Sequence, residues 1–143
     1  MGGFGARDVG SIRRVVEFLS DAWLARFDAA VRVADDLVAD PPFAIATLVR
    51  IGDRDCGYRV RFGSHGAWVG RPGTAPADVV FVTDAATAWE LHRGELRAQD
   101  AFARGTLKVR GRPEVLAARP DILAALERAV APLRAETTFG RAR

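Results

Sequence analysis

Few side chains in this sequence have the chemistry for catalysis or metal binding, and their spacing argues against both. His65 and His92 are its two histidines and Cys56 its one cysteine. Zinc sites gather Cys and His ligands at short, recurring spacings. Neither histidine has a second His or a Cys four residues away, so no metal site is expected. Gly63-Ser64-His65-Gly66 sets a hydroxyl beside an imidazole, but it is not a G-x-S-x-G elbow and reads as a tight turn. Asp53-Arg54-Asp55 is too short for a calcium loop. There is no phosphate-cradling loop or dinucleotide fingerprint, and no cofactor is expected. His92, beside Trp89 and Glu90, could form an acid–base pair. The preferred reading puts it at a helix C-terminus, where the dipole favours a cation. Cys56 reads as a plain thiol in a turn.

With catalytic patterns set aside, the informative stretch is Gly94 to Gly111. Gly94 suits the left-handed position that closes a preceding helix. Ala101, Phe102 and Ala103 fit one or two helical turns, stopped by Gly105. Leu107 and Val109 then alternate with Lys108 and Arg110, the period of a strand with one wet face. A small apolar helix followed at once by a half-buried strand can wall a nonpolar site.

The rest of the chain supplies the frame. Val9, Ile12, Val16 and Leu19 are helically spaced, so an extra helix is expected over 8–17. Ser20 and Asp21 open a helix with an apolar face of Leu24, Phe27, Val31, Ala34 and Val38, ended by Asp40-Pro41-Pro42. Residues 43–51 read as a well-buried strand. Tyr58, Val60 and Phe62 alternate with Arg59 and Arg61 as its hairpin partner, and a short third strand spans 67–71. A fourth strand over 79–83 leads into a helix capped by Thr83 or Asp84. After the Gly94–Gly111 stretch come a helical stub at 114–118 and a last helix from Pro120, which Pro132 should bend or end. The order predicts an α+β domain, with antiparallel hairpins and a last strand free to pair in parallel after its helical crossover.

Composition sets bounds. The 143 residues make one domain, 49% apolar and 27% charged, enough for a real core. The net charge is +3, and Lys108 is the single lysine among 21 basic residues. The arginines are dispersed beside acidic residues, which fits a solvated surface and gives no support to nucleic-acid binding. The lone cysteine and the absence of a long apolar run point to a cytoplasmic protein. Arg13 and Arg14 interrupt any signal-peptide core.

The stretch Gly94, Ala101-Phe102, Gly105, Leu107-Lys108-Val109, Gly111 resembles the type-two sterol carrier protein (sterol-binding, lipid-transfer) family. Phe18-Leu19-Ser20-Asp21-Ala22-Trp23 is similar to that family's opening helix. Ala77 to Asp84, followed by Trp89, is similar to its fourth strand and next helix. Ala98, Thr106 and Arg112 depart from the family pattern, at positions where a proline, a basic residue and an Asp or Asn are usual. The resemblance covers about residues 18–134, leaving an N-terminal extension at 1–17 and a loose tail at 135–143. It implies a five-stranded mixed sheet with helices over one face and a hydrophobic tunnel between them. It implies, too, that a tunnel would be lined from Phe62, Trp68, Phe81, Trp89, Leu91, Leu96, Phe102, Leu107, Leu116, Ile122 and Leu126.

The function expected from this is non-enzymatic binding or transfer of a fatty acid, acyl thioester or sterol-like lipid, by a monomer or homodimer in transient contact with membranes. Two other readings stand beside it. One is a small cavity enzyme that uses His92, Glu90 or His65. The other is an interaction module with a filled core, whose Arg50, Arg59 and Arg61 offer a basic surface to an acidic partner or anionic lipid.

Overall fold

The computed structural model describes residues 15–139. A two-residue strand, β1 (Val16–Glu17), precedes helix α1 (Asp21–Arg32). Strands β2 (Phe43–Ile51), β3 (Arg54–Gly63), β4 (Gly66–Gly70) and β5 (Val79–Asp84) follow. Then come α2 (Ala85–Arg93), α3 (Ala98–Arg104), β6 (Leu107–Gly111), α4 (Glu114–Ala117), α5 (Pro120–Ala135) and β7 (Thr137–Thr138). Five strands form one mixed sheet in the order β4-β3-β2-β5-β6, and β1 pairs with β7 in parallel.

The large apolar side chains at alternate positions mark which face of the sheet turns inward. Phe43, Ile45 and Val49 of β2, Val60 and Phe62 of β3, Ala67 and Val69 of β4, and Val79 and Thr83 of β5 are buried on the helix side. The helices supply the other half of the core with Trp23, Leu24, Phe27 and Val31 from α1 and Ile122, Ala125, Val130 and Leu133 from α5. The caps sit where the side-chain chemistry puts them. Ser20 Oγ accepts from the Trp23 N–H at 3.1 Å, and Asp84 Oδ1 from the Thr87 N–H at 2.7 Å. Gly94 and Gly105 close α2 and α3 at φ +76° and +83°, a region open to glycine and costly for other residues.

Four expectations change. Helix α1 stops at Arg32, well before the prolines. The chain turns away there, buries Leu37, and lets the Ala39 N–H donate to the Gly63 carbonyl at 2.8 Å. The last strand, β6, pairs antiparallel with β5: two helices bring the chain back to the end where β5 stopped, so Leu107 lies opposite Thr83. The parallel pair within this five-stranded sheet is β2 with β5. Helix α5 runs through Pro132 and ends only at Ala135. Finally, Val16–Glu17 and Thr137–Thr138 are strand, not helix and loose tail: Val16 and Phe18 N–H groups donate to Glu136 and Thr138 carbonyls at 2.8 and 2.7 Å. The rest of the helix expected over 8–17, and the tail beyond 139, lie outside the described residues.

Candidate functional site

The apolar surface between sheet and helices divides into two clusters. The larger unites the inner face of β2, β3 and β4 with α1 and α5. The smaller consists of Leu96, Ala101 and Leu107, with Leu91 packed against it. Phe81, on β5, touches both and is itself only half-buried. Local sequence builds this arrangement. The αL glycines Gly94 and Gly105 turn the chain sharply twice, so that Leu96, Ala101 and Leu107 come from the link, the helix and the strand onto one spot. Thr83 Oγ1 donates to the Thr106 carbonyl at 2.7 Å and ties the start of β6 to β5.

Nine of the eleven side chains named from the sequence lie on this surface. Phe62 is buried and stacked on Phe43, with ring centroids 4.8 Å apart. Ile122 is buried in the larger cluster, against which half-buried Trp89, Leu116 and Leu126 pack. Leu96 and Leu107 form the smaller cluster with Leu91 at its margin, and Phe81 joins the two. Trp68 and Phe102 lie elsewhere. Trp68 is 38% exposed on the outer face of β4, since alternation buries its small neighbours Ala67 and Val69 instead. Phe102 is 58% exposed because Ala101 takes the inward position of α3.

One group of residues has no counterpart in the sequence expectation. Phe18, Trp23, Phe27, Tyr58, Trp89, His92 and Phe139 form a continuous aromatic nest. Phe18 stacks on His92 at 5.2 Å and Trp89 on Phe139 at 5.1 Å, while Trp23 stands edge-on to Phe18, Phe27 and Tyr58. Trp23 and Phe27 are four residues apart on one face of α1, so their contact alone was readable from the sequence. Trp23 Nε1 and His92 Nε2 are buried there without a hydrogen-bond partner among the described residues.

The nest decides the state of His92. Burial, then the charges of Arg134 and Arg93, pull its pKa from 6.5 down to about 4, so it is neutral near pH 7. His92 does lie in the last turn of α2, as expected, but desolvation and two neighbouring cations keep it from carrying the charge that the dipole would favour. Tyr58 moves in the other direction: burial pushes its phenol pKa up, partly offset by a hydrogen bond with Thr47. Among the described residues no three His, Cys, Asp or Glu side chains are grouped to hold a metal, and no helix is long and apolar enough to cross a membrane.

No protein-family model matches this chain, and no curated protein matches it in sequence. Solved structures do. A conserved hypothetical protein from Thermus thermophilus, described as a possible sterol carrier protein, is 23% identical; the match covers 88% of this chain and 93% of that one, with a TM-score of 0.57. A sterol carrier protein 2 crystal structure is 25% identical over 82% of this chain and 98% of its own, with a TM-score of 0.55. Palmitated SCP2L2 from Aedes aegypti is 15% identical over 71% of this chain and 90% of its own, also at 0.55.

Proposed function

We propose that this chain, which has the sterol carrier protein 2 fold, binds a hydrophobic small molecule between its sheet and its helices and transfers it between apolar environments. The ligand class is a fatty acid, a fatty acyl thioester or a sterol-like lipid. The observation that carries this reading is the position of Phe81, half-buried between two apolar clusters that meet through it. Phe81, Leu91, Leu116 and Leu126, which pack against these two clusters, are each only half-buried. A lipid chain laid along them leaves water at a gain of about 25 cal/mol per Å² of apolar area buried. It needs no precise polar partners, so selectivity is modest. A fold shared with a palmitated protein supports an acyl chain as the ligand to test first.

Entry requires an element that yields. Helix α5 packs on α1 and α4, its first turn has no side-chain cap at Arg119, and it carries Pro132 inside its last turn. The uncapped start and the internal proline make it the gate in this reading.

Native mass spectrometry of the purified protein titrated with palmitate tests the proposal. One palmitate per chain, lost on Phe81→Arg but kept on Trp68→Ala, is the expected result. Palmitate adducts that are absent, or that form without saturation and equally on both variants, would contradict it.

A further inference from the structure

The inner face of the sheet carries the proposed ligand site, and the outer face carries a different pattern. Cross-strand register assigns the outer positions. Trp68 lies opposite Arg61, and Arg61 opposite Ala44. Arg59 lies opposite Ala46, Ala46 opposite Val80, and Val80 opposite Arg110. Leu48 lies opposite Val82, and Val82 opposite Lys108. Residues directly opposite in a sheet share a face.

Ion pairing makes this face unusual. Among the described residues ten arginines have a carboxylate partner. Six cations have none: Arg54, Arg59, Arg61, Arg104, Lys108 and Arg110. Four of those six are on the outer face. Arg50, also expected to offer its charge here, is paired with Asp55 at 2.7 Å. Arg59 is covered on that face: it is 9% exposed and donates to the carbonyls of Ala75 and Pro76 at 2.8 and 3.0 Å, pinning the 71–78 crossover over it. Arg61, Lys108 and Arg110 remain exposed and unpaired on either side of it.

We propose that the outer face of the five-stranded sheet is a docking surface for an anionic lipid bilayer. Arg61 on β3 and Arg110 on β6 are three strands apart, about 14 Å by strand spacing. A small anion cannot span them, and a sheet of headgroups can. The cations alternate with apolar groups as an interface requires: half-buried Val80 opposite Arg110, half-buried Val82 opposite Lys108, and exposed Trp68 under the Arg61 guanidinium, 5.1 Å from its ring. The crossover between Arg71 and Asp78 contains no charged side chain. Single-stranded nucleic acid fits less well. It needs free aromatic faces for stacking, and Arg61 already covers one face of the exposed ring here. This docking stands independently of the ligand proposed above.

Co-sedimentation with phosphatidylcholine vesicles, with and without phosphatidylserine, tests it. The native chain should bind the serine-containing vesicles alone, less tightly as salt rises. Each exposed cation on the face should be worth about fivefold, so Arg61→Gln/Lys108→Gln/Arg110→Gln should lose on the order of a hundredfold. Arg54→Gln/Arg104→Gln, which removes unpaired cations away from the face, should keep its binding. Brominated lipids should quench tryptophan emission in the native chain and not in Trp68→Phe. Equal losses in both charge variants, quenching that survives in Trp68→Phe, no binding to anionic vesicles, or tighter binding to a single-stranded oligonucleotide than to vesicles would each overturn the proposal.

Discussion

Arg134 Nε donates to the backbone carbonyl oxygen of His92 at 2.6 Å, so a cation from the end of α5 satisfies the last turn of α2. A helix C-terminus favours positive charge near its free carbonyls. Here Arg134 supplies that charge from another helix, and His92 beside it is left neutral among the rings of Phe18, Trp23 and Trp89.

Stability should therefore fall with acid in a defined window. The folded-state pKa of His92 is about 4, below its ordinary 6.5. Between those values the unfolded chain binds a proton that the folded chain does not. The contribution is complete above pH 6.5 and is lost as pH drops toward about 4. Urea midpoints followed through this window should decline less steeply in His92→Phe, which keeps a ring against Phe18 and removes the titration. Equal slopes would show that His92 does not carry the effect.

The two glycines that bracket β6 should respond differently to the same change. Both have positive φ, +83° at Gly105 and +88° at Gly111. An added Cβ at Gly105 meets nothing within 4 Å, so Gly105→Ala should cost about 1–2 kcal/mol, from backbone strain alone. At Gly111 a Cβ would lie 2.4 Å from the Asp78 carbonyl oxygen, so Gly111→Ala should cost clearly more. Denaturant titration of both variants measures the difference.

Truncating two aromatic residues on adjoining strands separates the faces of the sheet. Phe62→Ala should destabilise by about 3–5 kcal/mol, as expected for a large side chain removed from a packed core. Trp68→Ala should cost less than about 1 kcal/mol, since its ring stands on the solvent side. Comparable thermal shifts in the two would place Trp68 inside after all.

Phase was legible in this sequence wherever a long element kept its period. Tyr58, Val60 and Phe62 alternate cleanly, and β3 follows that register. Gly94, Gly105 and Pro120 mark helix boundaries because their backbone constraints are local. Size misled where phase was short. Trp68 and Phe102 are the bulkiest residues of their segments, yet Ala67, Val69 and Ala101 hold the inward positions. Non-local pairing left no trace: nothing near Val16 announces Thr137, and nothing in α1 shows that Gly63 will claim the Ala39 N–H. The aromatic nest draws rings from the turn before α1, from α1, β3 and α2, and from Phe139 just after β7, a convergence that only the tertiary fold creates.

If α5 is the gate, its amides report it. Hydrogen exchange over Pro120–Ala135 should be faster than over β2, which lies at the centre of the sheet, and palmitate should slow α5 far more than β2. Exchange in α5 as slow as in β2, with and without palmitate, would assign entry to another element.

The central claim is that an apolar guest is buried between the sheet and the helices, and calorimetry reads that burial directly. Palmitate titrated into the protein at several temperatures should saturate at one site, with a negative heat-capacity change that shrinks in Phe81→Arg. Heats that never saturate, or a saturable site with no heat-capacity change, would contradict it.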